Sequence, residues 1–300
     1  MPDALERLTP QQRHLLTQRF GRIVVVSDMS WGLVSTTVLE VDTDDGLLVV
    51  KAGGTPDRHI GREISAHERW TAPWVRCGRA ARMVFADRAT KLVVTEYLPG
   101  RLVLGTAASS RLDVYEQAGA LLAQFHRQEH VVDEGYERSA NTKTLRWLAA
   151  PHRIGPDVAG RLRSMVEGWP TPTATLVPTH GDWQSRNWLA DDIGVVKVID
   201  FGRAGMRPAG EDFERLAVRE FLRVPGAEQA FLRGYGEDPR EEDAWFRRRV
   251  RAAVAVAVWA FHVGDDCYEA EGHRMIAEAL GRFPVRSVRS SATSSSSWTG

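Results

Sequence analysis

Apolar positions in the first third of the chain come in short β-branched runs: RIVVVS at residues 22–27, STTVLEV at 35–41 and LLVVKAG at 47–53, the last two separated by DTDDG. Runs of this length divided by Asp and Gly predict an antiparallel sheet, with DDG as a hairpin signal. Between Asp57 and Trp70 the period changes. Ile60, Ile64, His67 and Trp70 recur at helical spacing, and Pro73 closes the segment. MVFAD and KLVVTEYLPG then predict another hairpin, ending in a Pro-Gly turn.

Beyond Gly100 the helical period dominates. Val114, Ala118, Leu121, Leu122 and Phe125 mark one packed face, and further helices are predicted over residues 142–148, 158–166, 211–222, 227–235, 241–262 and 273–280. A strand-rich segment followed by a helix-rich one is the α+β pattern. It predicts an N-terminal lobe over residues 1–98 and a C-terminal lobe over 99–285, with a ligand cleft between them. The serine-rich tail over 286–300 has no period and is expected to be disordered, outside the fold. No internal repeat is present.

Composition narrows the partners. Lys and Arg together number 39, as do Asp and Glu, so no broad field draws the chain to nucleic acid or to an anionic membrane. The longest apolar stretch, AAVAVAVWAFHV at 252–263, is shorter than the roughly 20 residues that cross a bilayer, and predicts a buried helix. Cys77 and Cys267 belong to no CxxC pair, which argues against a zinc site or a disulfide framework and suits a reducing compartment. With a polar N-terminus lacking a secretory pattern, the expectation is a cytoplasmic protein, monomeric or weakly dimeric. The only lysines are Lys51, Lys91, Lys143 and Lys197, so a well-placed lysine is informative.

The chemistry concentrates in THGDWQSRNWL, Thr179 to Leu189, and VKVIDFGRAG, Val196 to Gly205. A His-x-Asp pair alone is an ordinary polar turn. Here His180, Asp182 and Asn187 follow H-x-D-x-x-x-x-N, and Asp200 follows soon after between an apolar run and Phe201-Gly202. That is the order phosphoryl transfer requires: a carboxylate to take the acceptor's proton, an amide oxygen for Mg²⁺, and a second carboxylate for the metal. Magnesium takes oxygen donors such as these.

Over residues 23–283 the chain resembles the aminoglycoside phosphotransferase family, which includes choline-kinase relatives. The strongest part is HGDWQSRNWL followed by VIDFGRAGMRPAGEDFERL, with His-Gly-Asp where protein kinases have His-Arg-Asp. The resemblance implies a bilobal protein-kinase-like fold. It implies Asp182 as catalytic base, Asn187 and Asp200 as Mg²⁺ ligands, His180 as a brace for the loop, and Asp212 in a structural role.

The same chemistry needs a strand lysine for the donor phosphates and a helix glutamate to hold it. LLVVKAG supplies Lys51. Two glutamates compete for the pairing. At 100° per residue, Glu63 stands about 45° from the apolar face of the 57–70 helix and Glu68 about 95°, so Glu63 is expected. DMSWGLVS offers Ser30, Gly32 and Ser35 where protein kinases have a glycine-rich loop; backbone amides and hydroxyls there can cradle phosphate, and the stretch reads equally as a hairpin turn. Glu96, Tyr97 and Leu98 are expected to form the hinge that meets the base of ATP or GTP.

The acceptor suggested by the family pattern is a cationic small molecule held by carboxylates. Asp265, Asp266, Glu269 and Glu271 in VGDDCYEAEG are candidates, and read equally as a solvated helix end. Trp183 either stacks on substrate or packs, while His126 reads as a core or capping residue. The leading expectation is a kinase that inactivates an aminoglycoside or basic peptide antibiotic. A metabolite kinase for an amino alcohol or sugar, and a silent nucleotide-binding regulator, are the alternatives.

Overall fold

The computed structural model describes residues 4–30 and 36–281. A helix precedes the first strand: α1 (Pro10–Phe20) opens on Thr9, whose side chain accepts from Gln12 N at 3.2 Å while Gln12 Oε1 accepts from Thr9 N at 2.9 Å. This reciprocal cap, with Pro at the first helical position, starts the helix. Then come β1 (Ile23–Asp28), β2 (Thr37–Thr43), β3 (Gly46–Ala52), α2 (His59–Arg69), the short α3 (Ala72–Arg76), β4 (Met83–Asp87) and β5 (Leu92–Glu96). The strands form one antiparallel sheet in the order β1-β2-β3-β5-β4.

Alternation assigns the two faces of this sheet. Leu39, Val41, Leu48, Val50, Leu92 and Val94 pack with Leu8, Leu16 and Phe20 from the N-terminal segment. Val93 takes the opposite face, against Ile60 and Ile64 of α2. Each of these fully buried aliphatic side chains contributes roughly 1.5–3 kcal/mol.

After β6 (Arg101–Leu102) follow α4 (Leu112–His126), β7 (Val131–Asp133), α5 (Tyr136–Ala149), α6 (Pro156–Glu167), β8 (Ala174–Thr179), β9 (Trp188–Ala190), β10 (Val196–Val198) and β11 (Gly205–Arg207). The chain ends in α7 (Glu214–Val218), α8 (Glu220–Arg223), α9 (Ala227–Tyr235), α10 (Glu242–Val263) and α11 (Asp266–Gly281). Two three-stranded sheets, β10-β9-β6 and β11-β8-β7, frame the loop between β8 and β9. α4 and α9 approach so closely that a Cβ on Gly119 would lie 2.1 Å from Phe231 O, and one on Gly234 1.9 Å from Glu116 O.

The chain divides into two compact units, one of residues 1–134 with 172–241, the other of 135–171 with 242–300; residue 98 falls inside the first. In the second unit α5 and α10 share buried charge. Arg251 reaches Glu137 Oε2 at 2.7 Å and Arg247 reaches the same oxygen at 3.3 Å. No helix among the described residues is long and apolar enough to cross a membrane.

The α+β class expected from the pattern is the one found. Three details differ. α1 was not expected. The single helix expected over 211–222 is broken into a 3-10 turn at Ala209–Phe213, α7 and α8, with the break at Arg219, where φ is −129° and ψ −78°. α11 begins at Asp266, earlier than expected, which puts Asp266, Glu269 and Glu271 inside a helix. The tail at 286–300 lies outside the described residues.

Candidate active site

Lys51 occupies the α2 side of β3, because Leu48, Val50 and Ala52 take the other face. Its ammonium lies 2.6 Å from Glu63 Oε1 and 3.4 Å from Asp200 Oδ1. Glu63 is buried on α2, whereas Glu68 is exposed and pairs with Arg88 at 2.5 Å. Burial opposes the Lys51 charge, but Glu63 and Asp200 outweigh it and raise its pKa above the ordinary value. Lys51 in turn brings the Asp200 carboxyl down to about 2.

Asp200 turns the chain after β10 with φ of 66°, a left-handed conformation that a short polar side chain tolerates. The turn sends Phe201 inward, its ring 5.2 Å from that of His67 and 5.2 Å from that of His180. Burial pushes the His67 imidazole down to about 4, so it packs as a neutral ring. At the start of α2, His59 Nδ1 meets Gly202 O at 2.9 Å. The helix carrying Glu63 is therefore tied to the Asp200 turn near both of its ends.

The loop between β8 and β9 is held from beneath. Asp212, fully buried, accepts from His180 N at 2.7 Å and from Gly181 N at 2.6 Å. His126 Nε2 lies 3.0 Å from the same carboxylate, and His126 Nδ1 2.8 Å from Tyr235 OH. His180 Nε2 donates to Ile199 O at 3.1 Å. Gly181 has φ of 76°, and a Cβ there would stand 2.3 Å from Arg203 O, so glycine is the residue that fits before Asp182.

Asp182 itself is 2% exposed. Its Oδ1 accepts from Gln184 Nε2 at 2.5 Å and lies 2.8 Å from Arg215 Nε. Its Oδ2 accepts from Arg186 Nη2 at 2.6 Å and from Asn187 Nδ2 at 3.2 Å. Burial works against this carboxylate, but Arg215 and Arg186 outweigh it and hold its pKa below the ordinary value.

Asn187 Nδ2 also donates to Asp182 O at 2.8 Å, which leaves the amide oxygen as an acceptor. Asp200 keeps half its side chain exposed. An amide oxygen and a carboxylate fit a magnesium ion, which completes its shell with phosphate and water. Among the described residues no group of three or more His, Cys, Asp or Glu side chains forms a metal cage.

Other expected residues are placed as follows. Ser30 Oγ accepts from Val38 N at 2.8 Å and so closes the β1–β2 hairpin; Gly32 and Ser35 lie outside the described residues. Glu96 pairs with Arg82 at 2.5 Å, and the amides of Glu96 and Tyr97 donate to Arg82 O and Leu47 O at 2.9 and 3.0 Å. Of the three amides expected at the hinge, that of Leu98 is left outside this backbone pairing. Trp183, 1% exposed, packs among Trp74, His180 and Trp188 and presents no face to a ligand.

The acidic run is committed locally. Asp265 Oδ1 accepts from Tyr268 N at 2.9 Å at the start of α11, Asp266 and Glu269 share Arg153 at 3.0 and 2.9 Å, and Glu271 pairs with Arg274 at 3.1 Å. Sequence reasoning missed Gln184, Arg186, Arg215 and His59. Arg186 and Gln184 stood inside the quoted loop and Arg215 at the end of the second quoted stretch; the contacts that Arg215 and His59 make arise from folding.

A model described as the phosphotransferase enzyme family matches residues 55–247. No curated protein matches the chain by sequence. Among solved structures, choline kinase LicA from Streptococcus pneumoniae superposes with a TM-score of 0.64 at 13% identity, over 90% of this chain and 98% of that one. Macrolide 2'-phosphotransferase MphH from Brachybacterium faecium gives 0.54 at 17%, over 90% and 98%. Aminoglycoside phosphotransferase APH(4)-Ia, in a ternary complex with ADP and hygromycin B, gives 0.67 at 11%, over 91% and 98%. At these identities the likeness is one of fold.

Proposed function

Because the chain belongs to the phosphotransferase enzyme family, we propose that it moves the γ-phosphoryl group of a nucleoside triphosphate onto a hydroxyl of a small molecule, with Asp182 as the base. The observation that carries this reading is the assembly of Lys51, Glu63 and Asp200 by contact at 2.6 and 3.4 Å, with Asn187 and Asp182 bonded together on the adjoining loop.

Lys51 holds the donor phosphates, and Glu63 keeps the ammonium in place. Asn187 and Asp200 would hold magnesium, which would supply charge neutralisation on the transferring phosphoryl group when bound. Asp182 accepts the acceptor's hydroxyl proton as the new bond from that oxygen to the γ-phosphorus forms. The bond from phosphorus to the bridging oxygen breaks, and the nucleoside diphosphate leaves. The transition state is loose, so most of the contribution is positioning and charge. Leu98 is the hinge residue best placed to offer an N–H to the base.

The solved structures that it resembles are a choline kinase, a macrolide phosphotransferase and an aminoglycoside phosphotransferase bound to hygromycin B, and inactivation of a cationic antibiotic is one use of such chemistry. The carboxylates expected to grip a cation serve α11 and Arg153, and so lend that use no support. The test is coupled nucleoside-diphosphate release with ATP or GTP across amino alcohols, antibiotics, sugars and hydroxy acids. Release that depends on one acceptor and on Asp182 supports transfer; absence of release across the panel would leave a nucleotide-binding protein without this reaction.

A further inference from the structure

On the reading just proposed, Asp182 takes a proton from the acceptor, yet both its oxygens are already engaged: Oδ1 by Gln184 and Arg215, Oδ2 by Arg186 and Asn187. A carboxylate has about four lone-pair sites, so a hydroxyl reaches this base by displacing one of these donors. Gln184 and Asn187 are buried in the same short loop, and Asn187 is fixed by its second bond to Asp182 O. Arg186 and Arg215 are long, and each keeps 27% of its side chain exposed. The arginines are the donors that can swing away. A guanidinium drawn from a buried carboxylate needs another anion to receive it.

We propose that the acceptor carries that anion: a carboxylate or phosphate close to its reacting hydroxyl, which takes Arg186 and Arg215 off Asp182 and uncovers the base as it binds. The spacing follows from the contacts. A hydroxyl within about 3 Å of Asp182, and an anion facing guanidiniums that now sit 2.6 and 2.8 Å from the same carboxylate, belong to one small molecule with the two groups a few bonds apart.

The charge around the loop points the same way. Arg203 and Arg207 follow the Asp200 turn, and Arg58 and Arg62 stand at the start of α2. Burial together with the like charges of Arg207, Arg203 and Arg58 holds the Arg62 guanidinium below its ordinary pKa, so these side chains share one field. Carboxylates of the facing elements have other work. Glu211 lies 3.5 Å from Arg207, Glu220 accepts from Ser185 N and Oγ at 3.2 and 2.9 Å, and Asp212 supports the loop backbone. Glu214, beside Arg215 on α7, offsets part of the field. A hydroxy acid or sugar phosphate enters with the field that remains, and a cationic acceptor enters against it.

The experiment compares acceptors that share a skeleton and differ in charge: glycerate with glycerol, glucose 6-phosphate with glucose, and choline and hygromycin B as cations. Coupled ADP release gives kcat/KM for each. The anionic member of each pair is expected to exceed the neutral one by about tenfold or more, one bidentate arginine contact being worth this much. Arg215→Ala and Arg186→Gln, shown folded by thermal melting, are expected to lose that preference through KM for the anion, with less change for the neutral compound.

A preference for cations, or a preference that survives in both variants, overturns the proposal. If no compound turns over, calorimetric titration of glycerate and of inorganic phosphate, with a non-hydrolysable ATP analogue present, decides it. Binding weakened in both variants upholds the anion site, and no binding or equal binding sinks it. ADP release that depends on Asp182 but ignores acceptor charge refutes only the anionic acceptor; anion binding with no ADP release from any acceptor refutes the phosphotransfer reading instead.

Discussion

The two charged centres of the site are inversions of one another. At the Asp200 turn one cation, Lys51, stands between two carboxylates at 2.6 and 3.4 Å. At the β8–β9 loop one carboxylate, Asp182, stands between two guanidiniums at 2.6 and 2.8 Å. The first centre has a surplus of negative charge and suits a divalent cation with its phosphates. The second has a surplus of positive charge and suits an anionic group. A site that brings a cation and an anionic group close together gains from this polarity, because each meets a centre of opposite charge.

The largest expected effect comes from removing the charge of the second centre while sparing the first. Asp182→Asn is expected to lower kcat by about 10²–10⁴-fold, the range of a lost general base. The dissociation constant of a non-hydrolysable nucleotide should stay within about threefold, since Lys51, Glu63 and Asp200 are untouched. Steady-state ADP release and calorimetric titration read the two quantities. Nucleotide binding that weakened as much as turnover would show one coupled centre rather than two.

Lys51→Ala attacks the first centre and should do the reverse. It leaves Glu63 buried without its partner, which costs about 3–5 kcal/mol in such pairs, lessened here if the carboxyl takes up a proton. The expected outcome is a lower urea midpoint together with a raised KM for nucleotide. An unchanged KM would remove Lys51 from the donor phosphates.

How far each centre could be read from the chain follows from how local it is. Asp182 and Asn187 lie five residues apart on one loop, so their spacing is visible without a structure. Lys51 was visible because it ends the apolar run LLVV in a chain with only four lysines. Arg215 reaches Asp182 from another element; it stands at the end of the second quoted motif stretch, but nothing in the sequence shows that it turns towards Asp182. The acidic run near Asp265 likewise finds its partner only through folding, since Arg153, more than a hundred residues away, takes Asp266 and Glu269. The α+β class and the family were legible because β-branched runs and the His-Gly-Asp and Asp-Phe-Gly motifs are local. α1 was equally local, in Thr9 and Gln12, but its few apolar positions made a weak period.

A smaller effect separates the centres by pH. The Asp200 carboxyl is held at about 2 by Lys51, down from 3.8. A depressed carboxyl stabilises the fold above its unfolded pKa, and the contribution is lost as pH falls through the folded value. The stability difference between the wild type and Asp200→Asn should therefore be full above about pH 5 and shrink between pH 4 and 2. Because half of the side chain is exposed, the swing should be near 1 kcal/mol rather than the full value of the shift. Urea unfolding at a series of pH values reads it, and a difference that grew on acidification would contradict the Lys51 contact.

The smallest expected effect tests whether the first centre is specific to one face of α2. Glu63 and Glu68 share this helix, but Glu63 is buried against Lys51 while Glu68 pairs with Arg88 in solvent. Glu68→Gln removes an exposed pair worth about 0–1 kcal/mol and should leave kcat and nucleotide KM unchanged. Glu63→Gln keeps the shape of the side chain but loses the charge that positions the ammonium, so kcat should fall and KM rise by about tenfold or more, as for other charge-assisted bonds. Equal effects from the two substitutions would mean that α2 contributes a general negative field. Only a loss confined to Glu63 supports a lysine held by one carboxylate, poised for phosphate within reach of Asp200.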